Sequence, residues 1–332
     1  MKTYTETEIN TQFDSVKKFL KERASLLEEV LRVNPEEYDE VLFVGCGSSY
    51  HLALSGVSLF REYFSPPAQA IPGSEVFLSP ETHFKKDKKY LVFLLSRSGE
   101  STETVMAGEF LKKEYNATIL SITTEPESTL VKIGDISVIL KDAREVSVVM
   151  TQSFTVMFTF LVTLFKEWKK EKIFDEGVVD KAQEFYNSKK EELKALLKDR
   201  EFEHFVFLGQ GYTYGLAQEG ALKVKEMSIS FAEAFHSLEY RHGPKSIVTR
   251  RTLVFMLPLY YQEEKKLAQE LESLGAKVVF MGDEWGIPKG INREFLYLFW
   301  VPIFHEFGLQ NAFFKGVNPD NPKNLTKVVK ID

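Results

Sequence analysis

A loop rich in hydroxyl groups, Ser96–Thr102, directly follows the apolar run Leu91–Leu95. Five of its seven side chains carry a hydroxyl or a positive charge, and Gly99 lets the backbone approach a ligand closely. Where such a loop joins a strand to a helix, free backbone N–H groups and the positive end of the helix dipole face an anion. An N-capping turn also favours Ser and Thr, but it needs fewer of them. The loop therefore predicts a phosphate site whose side-chain ligands are Ser96, Arg97, Ser98 and Ser101.

A second glycine turn, Gly45-Cys46-Gly47-Ser48-Ser49, follows the apolar run Val41–Val44. Ligands of open α/β sheets bind at the carboxyl ends of the strands, where the strand order reverses. We therefore expect this turn to lie beside the serine loop and Ser49 to be a further phosphate ligand. Tyr50 occupies the third glycine position of the dinucleotide fingerprint Gly-x-Gly-x-x-Gly, which argues against NAD.

Three charged residues form a second group whose side chains could take part in catalysis. Glu219, Lys223 and Glu226 are spaced four and three residues apart, so a helix would place them on one face. Further along, His242 precedes a Gly-Pro turn. Carboxylates, lysine and histidine are the groups that acid–base and Schiff-base chemistry use. Taken alone, however, each segment also fits a solvated helix face or a structural turn.

Composition limits the class of protein. Apolar residues make up 44% and charged residues 27% of the 332 residues, and Phe occurs 28 times, which together predict a large, aromatic-rich core. The formal net charge of -6 argues against nucleic acid as a partner. The single cysteine, Cys46, excludes an intramolecular disulfide and a cysteine-based zinc cluster. Apolar stretches such as Phe154–Phe165 are too short to span a membrane, so we expect a cytoplasmic protein without membrane contact.

Short, continuous apolar runs recur at separations that suit a helix. In the first half these runs are Val41–Val44, Leu91–Leu95, Thr118–Ile122 and Ile136–Leu140. Apolar strands that alternate with helices are typical of a parallel sheet covered on both faces. The segment Glu8–Val33 instead has apolar residues at helical spacing and predicts an amphipathic helix.

The second half repeats the first in its letters as well as in its pattern. Val41-Leu-Phe-Val-Gly-Cys-Gly aligns with Phe205-Val-Phe-Leu-Gly-Gln-Gly. The other aligned pairs are Leu91–Leu95 with Leu253–Leu257, Ala117–Ser121 with Ala276–Phe280, and Ile136–Leu140 with Leu296–Trp300. Because all the offsets lie near half the chain length, an internal duplication is indicated.

The fold class predicted is α/β, with two tandem doubly wound parallel-sheet subdomains. We predict a helical segment at 1–35, a first domain at 36–170 and a second domain at 171–332. The stretch Phe165–Arg200, rich in Lys and Glu, would be the helical junction. The counterpart of the serine loop in the second half, Pro258–Tyr261, keeps no phosphate chemistry, so one phosphate site per chain is expected.

Four segments taken together resemble one known family. They are Ser96–Thr102, Glu219–Glu226, His242–Pro244 and Asn318–Lys327. Their residues and order are similar to the SIS (sugar isomerase) family, and especially to the isomerase part of glucosamine-6-phosphate synthase. The resemblance extends from about Val41 to the end of the chain, and the tail pattern Asp-x-Pro-x-Asn-Leu-x-Lys is its most specific piece. It implies two flavodoxin-like SIS domains and a sugar-phosphate isomerase site.

The resemblance implies which residues would hold the substrate. The phosphate would be bound by Ser49, Ser96, Ser98 and Ser101, with Arg97 where the synthase has Gln. The sugar pocket would be lined by Cys46, Gly47, Ser48 and the carbonyl of Val148. The segment Glu145–Thr155 departs from the synthase, with Met150 in place of a small hydroxyl residue and Gln152 in place of a lysine. This departure leaves the sugar specificity open.

The resemblance also implies four catalytic residues. Glu226 would move a proton between C1 and C2, and Lys223 would support the proton transfers. Lys327 would form a Schiff base with the open-chain ketose. His242 would open the sugar ring, reaching in from the neighbouring subunit of a homodimer. No metal ion or organic cofactor is required, and no cluster of His, Asp and Glu in the sequence suggests a metal site.

The synthase also carries a glutaminase domain with a nucleophilic cysteine, and we expect no counterpart of it here. Run in the opposite direction, the same chemistry would convert glucosamine 6-phosphate and water into fructose 6-phosphate and ammonia. Three alternatives are a deglycase for sugar phosphates joined to an amino acid, an aldose–ketose isomerase without nitrogen chemistry, and a non-catalytic sugar-phosphate sensor. The joint presence of Glu226, His242 and Lys327 argues against the sensor.

Overall fold

The computed structural model describes residues 3–329. The strands and helices of this range belong to two compact units, each assembled from three separate stretches of chain. The unit that contains Ser96–Thr102, here called the serine-loop unit, consists of the described residues of Asp14–Glu145, Gln152–Asp175 and Thr326–Asp332. The unit that contains Lys223, here called the lysine-helix unit, consists of those of Met1–Phe13, Val146–Thr151 and Glu176–Leu325. The domain boundaries given above stay a prediction.

The sheet of the serine-loop unit is parallel, with the order β2-β1-β3-β4-β5. Its strands are β1 (Glu40–Gly45), β2 (Ala68–Pro72), β3 (Lys89–Leu95), β4 (Asn116–Thr123) and β5 (Ile136–Ile139). The central strands β1 and β3 are buried along almost their whole length, as expected when helices cover both faces of a parallel sheet. The four apolar runs of the first half are confirmed as strands. The pattern does not predict β2, because Ala68–Pro72 contains no continuous apolar run.

Helices and aromatic side chains enclose this sheet. The helices are α2 (Ser48–Tyr63), α3 (Gly73–Leu78), α4 (Pro80–His83), α5 (Thr102–Glu114), α6 (Thr129–Ile133) and α7 (Gln152–Trp168). Phe43 of β1 stacks on Phe93 of β3 with ring centroids 4.4 Å apart, and Phe165 of α7 packs edge-on against both. The prediction of an aromatic-rich core is confirmed in this unit.

The lysine-helix unit contains a second parallel sheet, with the order β7-β6-β8-β9. Its strands are β6 (His204–Gly209), β7 (Phe231–His236), β8 (Thr252–Met256) and β9 (Lys277–Phe280). Its helices include α8 (Glu176–Asp199), α9 (Thr213–Ser228), α10 (Tyr261–Ser273) and α11 (Tyr297–Phe314). The second sheet repeats the order of the first four strands of the other sheet. The predicted fold of two duplicated, doubly wound α/β halves is therefore confirmed.

One predicted strand is wrong. Leu296–Trp300, expected to correspond to β5, lies at the start of helix α11. Tyr297–Trp300 are buried, and a short apolar run of this kind fits a buried helix as well as a buried strand. Two glycines allow α11 to pack closely on α9, since a Cβ on Gly220 would lie 3.0 Å from Phe304 and one on Gly308 would lie 3.2 Å from the Lys223 carbonyl.

The amino-terminal helix α1 spans Tyr4–Leu27. It begins before the predicted segment Glu8–Val33 and ends within it. The carboxylate of Asp320 caps it by accepting hydrogen bonds from the N–H groups of Tyr4 and Thr5, both at 2.8 Å. Among the residues described, no helix combines the length and the apolar character needed to cross a membrane.

Candidate functional site

The serine loop joins β3 to α5 and is folded by its own hydroxyl groups. The Ser96 hydroxyl accepts the N–H of Gly99 at 3.1 Å, and the Ser98 hydroxyl accepts the N–H of Glu100 at 3.2 Å. Gly99 has a φ of +63°, and a Cβ there would lie 2.2 Å from the hydroxyl oxygen of Ser128. Glycine is therefore required at the centre of the loop.

Hydroxyl groups at two neighbouring helix starts are available to an anion. Ser101 is the N-cap of α5, and its side chain makes no capping hydrogen bond. Ser49 lies in the first turn of α2, and its hydroxyl has no hydrogen-bond partner within residues 3–329. Because β1 and β3 are adjacent parallel strands, the turns after them lie at the same edge of the sheet. The structure thus brings the predicted phosphate ligands of this unit together.

The turn after β1 places Cys46 differently from its hydroxyl neighbours. The Cys46 sulfur accepts a hydrogen bond from the Thr104 hydroxyl at 3.7 Å, and a Cβ on Gly73 would lie 3.0 Å from it. Burial raises the pKa of the Cys46 thiol, so the thiol stays protonated near neutral pH. Ser48 is buried at the start of α2, after Gly47, which adopts a φ of +57°.

Arg97 and Lys327 meet in the serine-loop unit. The Arg97 guanidinium pairs with Glu145 at 3.1 Å and donates to the carbonyl oxygen of Lys327 at 3.3 Å. The ammonium of Lys327 in turn donates to the carbonyl oxygen of Glu145. The tail lysine is therefore linked both to Arg97 of the serine loop and to Glu145, the first residue of the segment that departs from the synthase.

The predicted one-face array on α9 is present, and its lysine is fully buried. The Lys223 ammonium lies 3.1 Å from a Glu219 oxygen and 2.6 Å from a Glu226 oxygen. Burial alone would lower the pKa of Lys223, but the Glu219 and Glu226 carboxylates outweigh it, and the pKa is raised. Lys223 is thus a protonated cation that fixes the orientation of the partly exposed Glu226 carboxylate.

The segment that contains Val148 lies against this array. The Lys223 ammonium donates to the carbonyl oxygen of Met150 at 3.0 Å. On the other side, the Glu8 carboxylate accepts the N–H of Ser147 at 3.2 Å and also its hydroxyl. The role of Glu8 was inaccessible to sequence analysis, because it lies 139 residues from Ser147 and no local pattern links the two.

The second half carries its own carboxylate where the serine loop stands in the first half. Glu264 of α10 is buried, and it accepts the N–H groups of Leu259 at 2.8 Å and Tyr260 at 2.7 Å. These N–H groups open the helix that corresponds to α5. In the second half, a protein carboxylate thus accepts the N–H groups at the helix start. The corresponding turn of the first half presents hydroxyl groups instead.

A comparison with protein families matches the SIS domain over residues 37–167 and 200–304, more than half of the chain. The chain belongs to the SIS domain family. The resemblance stated from the serine loop, the charged helix and the tail is therefore confirmed.

Relatives show how far the similarity of this SIS chain extends. It is 30% identical over 360 aligned positions to a glutamine–fructose-6-phosphate aminotransferase (isomerizing) of Helicobacter pylori, a match that covers 100% of this chain and 59% of that protein. The chain thus spans less than two thirds of the length of that relative. A crystal structure of a glucosamine-6-phosphate deaminase from Thermotoga maritima has 37% identity and a TM-score of 0.88, covering 98% of this chain and 99% of that one. A tagatose-6-phosphate ketose/aldose isomerase from Escherichia coli, 23% identical with a TM-score of 0.83 over 97% and 96% of the two chains, shares the fold.

His242 of this SIS protein lies apart from the array on α9. It is exposed after the 3₁₀ turn Leu238–Arg241, and no hydrogen bond or ion pair joins its ring to another residue between 3 and 329. Its backbone N–H donates to the Glu239 carbonyl at 2.9 Å. Within the described residues, no hydrogen bond or ion pair therefore joins His242 to Glu226.

Sequence analysis missed a buried histidine beside the array. His305 of α11 is fully buried, and its Nδ1 lies 3.3 Å from the side-chain oxygen of Gln12. Burial lowers the pKa of His305 to about 3, with Lys223 lowering it further and Glu219 raising it. His305 is therefore neutral at physiological pH. Within the described range, no group of three or more His, Cys, Asp or Glu residues could hold a metal ion.

Proposed function

We propose that the protein is a sugar-phosphate isomerase that also deaminates, converting glucosamine 6-phosphate and water into fructose 6-phosphate and ammonia. The observation that carries the proposal is the Glu226 carboxylate, which is held 2.6 Å from the buried ammonium of Lys223. Moving a proton between adjacent carbons requires one positioned carboxylate that can reach both of them. The identity of 37% to a glucosamine-6-phosphate deaminase over nearly the whole chain supports the same reaction.

The serine loop would bind the phosphate of the substrate. The hydroxyls of Ser49 and Ser101, at the starts of α2 and α5, suit an anion, because they donate without needing a cation. Such contacts are equally strong in the bound substrate and in the transition state. They should therefore lower KM more than they raise kcat.

Glu226 would act on the open-chain sugar. It would take the proton from C2 and return it to C1, while a second proton passes from the C2 amine nitrogen to the C1 oxygen. The C1 aldehyde thereby becomes a hydroxymethyl group and the C2 amine becomes an imine. Lys223 would keep the carboxylate oriented through both steps while staying protonated itself. This function agrees with the raised pKa of Lys223, which leaves no lone pair for a nucleophile.

Lys327 would complete the release of nitrogen. Its neutral amine would add to the C2 imine carbon and expel ammonia, forming a Schiff base that water then hydrolyses to the ketose and free lysine. His242 would open the sugar ring. Because its ring is exposed and makes no hydrogen bond or ion pair within residues 3–329, we propose that it acts in the site of a second copy within a homodimer.

The test is ammonia release from glucosamine 6-phosphate, with fructose 6-phosphate assayed in parallel. Equal amounts of both products are expected. A ketose phosphate without ammonia from an unaminated aldose phosphate would favour a simple aldose–ketose isomerase. Ammonia-free cleavage of a sugar phosphate joined to an amino acid would favour a deglycase.

The decisive variant is Glu226→Gln, which keeps the shape of the side chain but removes its basicity. We expect kcat to fall by about a hundredfold or more, while binding of glucitol 6-phosphate, which has no carbonyl, stays unchanged. The matched control is Glu272→Gln, an exposed glutamate of α10 in the same unit, which should behave as wild type. Near-normal turnover of Glu226→Gln would remove Glu226 from its proposed role.

A further inference from the structure

We infer that Arg97 is a positioning residue for Lys327 rather than a ligand of the phosphate. The inference rests on the proposed function, in which the Lys327 amine forms the Schiff base. It concerns the serine-loop unit alone, to which Arg97, Glu145 and the tail from Thr326 onward belong.

Arg97 is held at its main chain and at its side chain. Its carbonyl oxygen accepts the N–H of Thr124 at 3.1 Å and the hydroxyls of Thr123 and Thr124 at 2.9 and 3.0 Å. Its guanidinium donates to Glu145 at 3.1 Å and to the Lys327 carbonyl at 3.3 Å, and the residue is 9% exposed. Separate N–H groups of one guanidinium can bridge a carboxylate and a carbonyl in this way because they point in fixed directions.

Glu145 makes this arrangement costly to break. Its side chain is fully buried, and it accepts the N–H of Ser153 at 3.2 Å and the Ser153 hydroxyl at 2.5 Å in the first turn of α7. Removing the cation from a buried carboxylate is strongly destabilising. Turning the Arg97 side chain towards a phosphate would leave Glu145 in that state.

Lys327 is gripped at two points by this pair. Its ammonium donates to the carbonyl oxygen of Glu145, and its own carbonyl oxygen accepts from Arg97. Two residues later, the Val329 carbonyl oxygen accepts the N–H of Thr102, the first residue of α5, at 3.3 Å. The tail therefore runs beside the end of the serine loop, and the lysine is set next to it.

In this arrangement the hydroxyls of the serine loop bind the phosphate, and the Arg97 guanidinium positions Lys327. Schiff-base formation needs the amine held at a defined place relative to a ligand whose phosphate is already bound, and a misplacement of about 1 Å can cost on the order of a hundredfold in rate. Arg97 supplies the fixed distance between the serine loop and the lysine. The phosphate itself is left to the hydroxyl donors of the serine loop and of Ser49.

The experiment compares Arg97→Gln with wild type in three measurements. These are kcat for ammonia release, the inhibition constant of glucitol 6-phosphate, and borohydride trapping of the Schiff base that fructose 6-phosphate forms with Lys327, read by mass spectrometry. We expect kcat and trapping to fall together by about ten- to a hundredfold, with the inhibition constant unchanged. An inhibition constant that rises tenfold while trapping persists would make Arg97 a phosphate ligand and overturn the inference.

Two further variants and one control keep the result interpretable. Arg97→Gln/Glu145→Gln removes both charges, so that no buried carboxylate is left alone, and it should show the same loss of trapping. Ser98→Ala should instead raise the inhibition constant of glucitol 6-phosphate. Arg144→Gln makes the same substitution at an exposed neighbour of Glu145 that pairs with Glu125, and it should match wild type.

A readout that needs no turnover separates this inference from the proposed function. Without ligand, amide hydrogen exchange of the tail peptide around Lys327 should be faster in Arg97→Gln than in wild type or Arg144→Gln. Equal exchange in all three proteins would overturn the inference even if the enzyme is active. If wild type neither releases ammonia nor traps a Schiff base, the proposed reaction fails, and tail exchange still decides whether Arg97 holds Lys327.

Discussion

The Lys223 ammonium shows how a helix face with ordinary charged spacing becomes part of a site. Its acceptors include Glu219, Glu226 and the Met150 carbonyl, and the side chain is excluded from solvent. An ammonium carries three N–H donors, so partners on several sides leave the cation little freedom to move. Sequence analysis predicts the shared face but not the burial, because the Met150 carbonyl comes from a segment 73 residues away.

Lys223→Met is expected to cost stability as well as activity. The substitution keeps the length of the side chain but leaves the buried Glu219 carboxylate without its cation, which typically costs about 3–5 kcal/mol. We expect a clear drop in the thermal unfolding midpoint. Differential scanning calorimetry of the variant and wild type measures it.

The matched variant Glu219→Gln/Lys223→Met removes one carboxylate together with the cation and should recover much of the loss. Because the pKa of Lys223 is raised in the folded protein, its stabilisation is complete below its unfolded pKa near 10.5 and is lost as pH rises through the folded value. The deficit of Lys223→Met should therefore be constant between about pH 7 and pH 9. A deficit that shrinks over that range would contradict this assignment of charge.

The serine loop could be predicted from sequence because all its parts are local. Its hydroxyls, its glycine and the preceding strand lie within a few residues, and the structure folds them as one turn. The partners of Arg97 could not be predicted in the same way, since Glu145 is 48 residues away and the Lys327 carbonyl 230 residues away. The sequence alone therefore predicts Arg97 as a phosphate ligand, because its ion pair with Glu145 is visible only in the structure.

At the scale of elements, the two ends of the tail pattern Asp-x-Pro-x-Asn-Leu-x-Lys make contacts in different units. Its Asp320 caps α1 in the lysine-helix unit, where it also accepts the Thr5 hydroxyl at 2.7 Å. Its Lys327 belongs to the serine-loop unit. The aspartate of the pattern is thus explained by helix capping and the lysine by its contacts with Arg97 and Glu145.

Asp320→Ala is expected to lower the stability of the protein without removing any of the proposed catalytic residues. Loss of an N-cap typically costs about 0.5–2 kcal/mol, and the negative charge at a helix N-terminus adds to it. We expect a modest fall in the thermal unfolding midpoint. Asp320→Asn, which keeps an acceptor oxygen, should fall less; an equal fall in both variants would show that capping is not the reason.

The sheets were the most predictable elements and the last helix the least. Continuous apolar runs with repeated letters identify β1, β3, β4 and β5 and three of their counterparts, because buried parallel strands carry this signal along their whole length. Leu296–Trp300 carries the same signal, yet it forms a helix. Only the packing of α11 on α9, made possible by Gly220 and Gly308, distinguishes the two outcomes.

At the scale of the molecule, duplication has been followed by specialisation. Both sheets share one strand order, yet the helix start after β3 offers hydroxyl groups while the one after β8 is filled by the Glu264 carboxylate. The buried lysine array occurs in the other half, on α9. Each half therefore keeps the scaffold but presents different side chains, in agreement with the expectation of one phosphate loop per chain.

The stability of the folded protein should depend on pH through His305. Its folded pKa is about 3 because of burial, whereas an unfolded histidine titrates near 6.5, so between these values only the unfolded state binds the proton. Stability present above about pH 6.5 is therefore lost as pH falls, by about 1.4 kcal/mol per pH unit, or about 2 kcal/mol at pH 5. His305→Gln removes this proton, so its unfolding midpoint should fall less steeply than that of wild type between pH 7 and pH 5. Thermal denaturation of both proteins at a series of pH values measures the two slopes. If both midpoints fell equally steeply, His305 would already be protonated in the folded state, and burial beside Lys223 would not keep it neutral.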